Sequence, residues 1–143
     1  MWTGTIAHNG LLGTGRIEDW GSHMIAHEIG ALYDLTHGAT LSIVLPAWMK
    51  YVYKENIDRF VQFAVRVWNV EQDFYNPENV IIEGISKMTE FFNKSGLPTT
   101  LGEANISGDR IEEMAEKCTK MGPVGNLKKL YKDDVIKILK LAL

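Results

Sequence analysis

Apolar residues recur along this chain at the three-and-four spacing of an α-helix nearly everywhere. Ile57, Phe60, Val61, Ala64, Val65 and Trp68 form one such series, and Ile81, Ile85, Met88 and Phe92 another. Ile111, Met114, Ala115, Cys118 and Met121 form a third, and Val135, Ile138, Leu139 and Ala142 close the chain as a fourth. Leu41, Ile43, Val44, Leu45, Trp48, Met49 and Val52 behave differently, being apolar on most sides of a helix, which predicts a buried one. Pro46 lies inside that run and is expected to kink it or loosen its first turns.

Start and stop signals divide these series into elements. The first apolar-rich segment, Trp2 to Leu12, closes at Gly13-Thr14-Gly15. A second helix is predicted from about Glu18 to about Tyr33, its acidic start suited to the positive helix end. The third begins near Thr36. Asn56 is the expected N-cap of the fourth, and Asn76-Pro77-Glu78 reads as cap, first residue and acidic first turn of the fifth, which ends at Ser95-Gly96. An irregular stretch, Leu97 to Ile106, precedes a helix starting at Ser107 to Asp109 and stopping at Gly122-Pro123; the last runs from Lys132 to Leu143. No strand alternation persists beyond a few residues. The predicted fold class is all-α, one domain over residues 1–143, with about seven helices bundled around the buried third.

Composition adds bounds. At 143 residues the chain is long enough for a core without staples, and 45% hydrophobic with 23% charged residues is ordinary for a water-facing globular chain. The net charge of −3 is interspersed and forms no basic stripe, which argues against nucleic-acid binding. No apolar run approaches the ~18 residues of a membrane span, and the N-terminus lacks the basic and apolar regions of a signal peptide. One cysteine, Cys118, excludes an internal disulfide and suits a reducing, cytoplasmic setting; its helical pattern predicts a buried thiol.

The candidate chemistry lies in Gly21 to Gly38, which holds three of the four histidines. Imidazole is the commonest side-chain ligand for transition metals. His23 and His27 share one helix face a turn apart, whereas an unbroken helix would put His37 roughly 21 Å from His23. A shared metal therefore requires a bend, which the turn and cap residues Asp34, Thr36 and Gly38 permit. The bland alternative places His37 at a helix start and bonds His27 to a backbone carbonyl. His27-Glu28 does not extend to a zinc-protease motif, because Ala31 stands where a second histidine is needed. The glycines of Gly10-Leu11-Leu12-Gly13-Thr14-Gly15 follow no strand and read as a helix end and turn. His8 could approach from another helix, although the Asn9-Gly10 end after it suggests a packing role. Two histidines make half a catalytic metal site, since such sites take three or more protein ligands.

The run from Ser22 through His23, His27 and Gly30 to His37-Gly38, continued by Leu41 to Tyr51, resembles the iron-containing (group III) alcohol dehydrogenases, and within them the NAD(P)H-dependent butanol dehydrogenases. That family's signature is a His, a second His four residues on, a Gly, and a His-Gly ten residues after the second His. Trp2 to Gly10 and Leu127 to Val135 look similar as well. The resemblance implies that His23 and His37 are metal ligands for Fe2+ or Zn2+, and that His27 lines the site in a proton-relay or positioning role. It also implies hydride transfer between a small alcohol or aldehyde and NAD(P); a homo-oligomer is expected separately, from apolar surface that the bundle exposes without the rest of such an enzyme. The family's other two ligands, an Asp and a His on an earlier helix, and its nucleotide-binding α/β domain have no counterpart among these residues. Two rival expectations stand beside it: a catalytically inactive helical module that self-associates, and a small His-rich metal-binding protein without redox chemistry.

Overall fold

A computed structural model describes all residues, Met1–Leu143. Seven α-helices follow in order: α1 (Trp2–His8), α2 (Gly21–Tyr33), α3 (His37–Val52), α4 (Ile57–Trp68), α5 (Pro77–Lys94), α6 (Ile111–Cys118) and α7 (Lys132–Leu141). Two short 3-10 turns, Leu11–Gly13 and Tyr53–Glu55, join them, and the only β-type pairing is an isolated antiparallel bridge between Val124 and Leu130. The all-α expectation holds.

The apolar run Leu41 to Val52 does form the centre. α3 packs against α2, α5 and α7, while α4 lies on α5, and α6 bridges α2 and α7. Ile25, Ile29, Ile43, Val44, Val52, Ile81, Ile85, Met114, Leu130, Ile138 and Leu139 are all but sealed from solvent in one continuous core. α3 runs on as one α-helix through Pro46, the residue at which the sequence predicts a kink or loosened first turns. Proline removes the amide that would reach the carbonyl of Ser42. At that position the Ser42 hydroxyl lies 2.8 Å from the Ala39 carbonyl and 2.6 Å from the Pro98 carbonyl, and its single proton, given to Pro98, fastens the helix to the irregular stretch beside it.

Several boundaries differ from the sequence reading, α6 ending already at Cys118 and α7 at Leu141, and three differ for a local reason. The first segment ends its helix at His8, because Gly10 adopts a left-handed conformation (φ 78°) and the chain re-forms only a 3-10 turn. α2 starts at Gly21 because Asp19 turns outward and its carboxylate accepts the Gly21 amide at 2.7 Å. α6 starts at Ile111, since Gly108 (φ 79°) interrupts the Ser107 to Asp109 start. Asn56 caps α4 as expected, its side chain accepting the Arg59 amide at 3.1 Å. No helix is long and apolar enough to cross a membrane.

A candidate metal centre at the α2–α3 elbow

The bend that the histidine spacing requires is present. α2 ends at Asp34 in the left-handed region (φ 53°), with its amide bonded to the Gly30 carbonyl. The connector then doubles back across α2: the Leu35 carbonyl passes 3.4 Å from where a Cβ at Gly30 would lie. Glycine leaves that path open. His37, the first residue of α3, is thereby returned alongside the middle of α2 instead of beyond its end.

The imidazoles converge as a result. The His23 and His37 ring centroids lie 5.5 Å apart, and the His27 and His37 centroids 5.0 Å apart. Two imidazoles on one tetrahedral cation, with bonds of about 2.1 Å to nitrogen, hold their centroids ~5 Å apart. Both pairs are therefore spaced as two corners of such a site. The Ser22 hydroxyl approaches His23 Nδ1 to 3.5 Å, which leaves Nε2 as the nitrogen free for a ligand. No three donors among histidine, cysteine, aspartate and glutamate side chains already converge on a common point. These residues supply part of a coordination sphere.

The electrostatics favour neutral rings. His23 is half-buried, and its pKa is lowered first by that burial and then by the neighbouring imidazoles of His37, His8 and His27. His37 is lowered in the same order of causes, by desolvation and then by His27 and His8. Rings held neutral keep a lone pair available to a cation. His27 makes no hydrogen bond to a backbone carbonyl and stands exposed at the rim, so the bland reading of that residue is not what the fold shows.

Two residues near this cluster were missed or underrated in the sequence. His8 is not a packing residue: α1 buries nothing, yet the His8 ring lies 6.2 Å from His23. Trp20 stands edge-on to His23 at 4.8 Å, with His8 6.0 Å from it, and forms a wall of the cluster. Neither has a spacing signal, because each reaches the site through the turns between α1 and α2.

The sequence profile described as "Fe-containing alcohol dehydrogenase family, C-terminal" matches residues 1–143. The chain belongs to that family. It is 39% identical over 143 residues to the probable NADH-dependent butanol dehydrogenase 1 of Bacillus subtilis, covering 100% of this chain and 37% of that relative. It is 35% identical over 122 residues to the NADPH-dependent aldehyde reductase YqhD of Escherichia coli, covering 85% of this chain and 31% of that protein. Among solved structures, the NADH-dependent butanol dehydrogenase A of Thermotoga maritima superposes with a TM-score of 0.91 at 37% identity, over 99% of this chain and 37% of that one. Escherichia coli YqhD superposes with a TM-score of 0.93 at 32% identity, over 100% of this chain and 37% of that one. The bundle described above is thus the C-terminal helical part of the Fe-containing alcohol dehydrogenase fold, and it spans just over a third of the length of these relatives.

Proposed function

We propose that this chain furnishes the metal-binding helical region of an NAD(P)-dependent alcohol dehydrogenase or aldehyde reductase acting on small alcohols and aldehydes. His23 and His37 hold a divalent cation, Fe2+ or Zn2+, and His27 sits beside it. The observation that carries this reading is the 5.5 Å approach of two imidazoles from separate helices, on residues matching a family whose relatives are named as alcohol and aldehyde oxidoreductases. A cation bound there supplies Lewis-acid polarisation of the alcohol or aldehyde oxygen, while NAD(P) carries the hydride.

The chain's own residues do the rest. Neutral His23 and His37 anchor from opposite sides of the elbow, and the rigid α2–α3 packing beneath them fixes their separation. His27, one turn along α2 and open to solvent, takes up or gives back the hydroxyl proton and passes it to water. Residues that complete the coordination and hold the nucleotide come from the remainder of a longer protein. The single buried Cys118, its thiol pushed up to about 12 by burial and then by Glu28, stays protonated and suits a cytoplasmic setting. The test is metal content in the complete enzyme: His23→Ala and His37→Ala are each expected to lose the metal on dialysis. Full retention in either variant overturns the assignment.

A second reading, self-association, is favoured by one observation. Trp2, Leu11, Leu12, Ile17, Trp20 and Met24 are exposed large apolar residues on or beside the segment that carries the cluster. A homo-oligomer of this chain is expected in light scattering at high concentration, and a strictly monomeric mass ends that reading.

A further inference from the structure

Trp20 occupies the N-cap position of α2, where a small polar side chain usually accepts an amide of the first turn. The indole makes no such bond. Core packing does not account for it either, since the side chain is 42% exposed and belongs to neither buried cluster. What it does touch is His23: the two rings stand at 72° with centroids 4.8 Å apart, the dimensions of a favourable edge-to-face pair. The indole is held in turn. Its Nε1 donates to Glu18 Oε2 at 3.4 Å, and the Glu18 carbonyl accepts from the Asn126 side chain at 2.8 Å. The Trp20 carbonyl accepts the Met24 amide at 2.9 Å, which locks its backbone to the first turn of α2.

His23 needs such a neighbour. The last torsion of a histidine side chain is broad, so the helix backbone alone does not set the plane of the ring. A metal-ligating histidine is ordinarily oriented through its other ring nitrogen, by a carboxylate or a backbone carbonyl. Within this chain His23 has neither: its one hydrogen-bond contact is the Ser22 hydroxyl, 3.5 Å from Nδ1 and at the outer limit of such a bond. We infer that Trp20 is a positioning residue, whose indole fixes the plane of the His23 ring so that Nε2 stays directed at the cation. The inference rests on the reading of His23 as a ligand and deepens it by naming what orients that ligand. Trp20 acts through His23 and is not itself a donor to the cation. An aromatic wall thus does here what a hydrogen-bonded carboxylate does in other histidine sites, and a tryptophan at a poor capping position has its explanation in the site beside it.

The test is the affinity of the complete enzyme for Co2+, by competition with a chelator, read together with the visible absorption of the bound ion. Trp20→Ala and Trp20→Leu are each expected to weaken Co2+ binding by about tenfold or more, the scale on which losing the support of a metal-ligating histidine is felt, and to alter the visible bands. Trp20→Phe, which keeps a ring against His23, should restore most of the affinity and the wild-type bands. Trp20→Leu separates the ring contact from the filling of space. In the metal-free enzyme the ring protons of His23, assigned by their loss in His23→Ala, should shift in Trp20→Ala as the indole ring current is removed. Because Trp20 lies outside the core, helix content by circular dichroism should be the same in all three variants and the wild type. Affinity and spectrum unchanged in Trp20→Ala overturn the inference, as does wild-type behaviour in Trp20→Leu or a Trp20→Phe enzyme as weak as Trp20→Ala. Wild-type Co2+ affinity in His23→Ala sinks the underlying ligand reading instead.

Discussion

The Asp19 carboxylate accepts the backbone amide of Leu127 at 2.7 Å, across 108 residues of sequence. The same group receives the amides of Gly21, at the start of α2, and Asn126, at 2.5 Å, while the Asn126 side chain donates to the Glu18 carbonyl. One carboxylate thus ties the first turn of the histidine-bearing helix to the loop before α7. The approach is close enough that a Cβ at Gly21 would come within 3.3 Å of the Gly125 Cα. Hydrogen bonds to a charged acceptor are individually stronger than neutral ones, and Asp19→Ala leaves three amides without it. The variant is expected to lose about 2 kcal/mol of stability in urea unfolding. In the complete enzyme it should also release metal more readily, because His23 lies two residues into the helix whose start is loosened. Asn at 19, which keeps one acceptor oxygen, should recover part of both losses; an Asp19→Ala chain as stable as the wild type refutes the role.

His27 and its neighbours can be separated by what each variant loses. His27→Asn in the complete enzyme is expected to keep its metal, since His23 and His37 remain. Turnover should fall by about 10²-fold or more if His27 moves the hydroxyl proton. Loss of metal in step with activity would place His27 among the ligands and remove its separate proton role.

The fold was legible in the sequence where burial follows helical period. Ile81, Ile85 and Met88, and Ile43, Val44, Met49 and Val52 of the central run, are buried as their spacing predicts, because each side chain's solvent exposure is fixed by its own helix face. The candidate site was legible only in part. His23 and His27 share a face by period alone, but the return of His37 depends on Gly30 admitting the Leu35 carbonyl, a contact no spacing rule encodes. His8 and Trp20 reach the cluster through turns, where the sequence specifies conformation weakly and distances not at all. Helix starts were misplaced for a related reason: the Asp19 side chain stops α2 short by bonding to a loop 108 residues away.

Gly84 marks the closest approach of α4 and α5. A Cβ there would meet the Ala64 Cβ at 2.5 Å and its Cα at 2.9 Å, and part of the obstruction is backbone. Both residues are buried, so neither helix can relieve the clash by turning a flexible side chain aside. Gly84→Ala is therefore expected to destabilise by about 1–3 kcal/mol, even though alanine is the better helix former. A lower urea midpoint at unchanged slope would show it. A stabilised Gly84→Ala would mean that helix propensity outweighs this contact.

Tyr51 on α3 donates its hydroxyl to Asp134 Oδ1 at 2.5 Å, linking the central helix to the first turn of α7. Asp134 also accepts the Tyr131 amide at 2.9 Å, capping that helix. Burial, the carboxylate hydrogen bond and the charges of Asp134 and Glu55 push the Tyr51 hydroxyl up to about 12, against an ordinary value of 10.0. Below pH about 10 the hydroxyl is protonated in both folded and unfolded chains, and its bond contributes in full. Between about 10 and about 12 the unfolded chain gives up the proton while the folded chain keeps it, so the contribution drains away as pH rises. At neutral pH Tyr51→Phe should cost about 1 kcal/mol, discounted because the pair is partly open to solvent. The gap between wild type and Tyr51→Phe in urea unfolding should then narrow as the pH rises from about 10 toward 12. A gap that stays constant across that window would show that the phenol is not held protonated by Asp134.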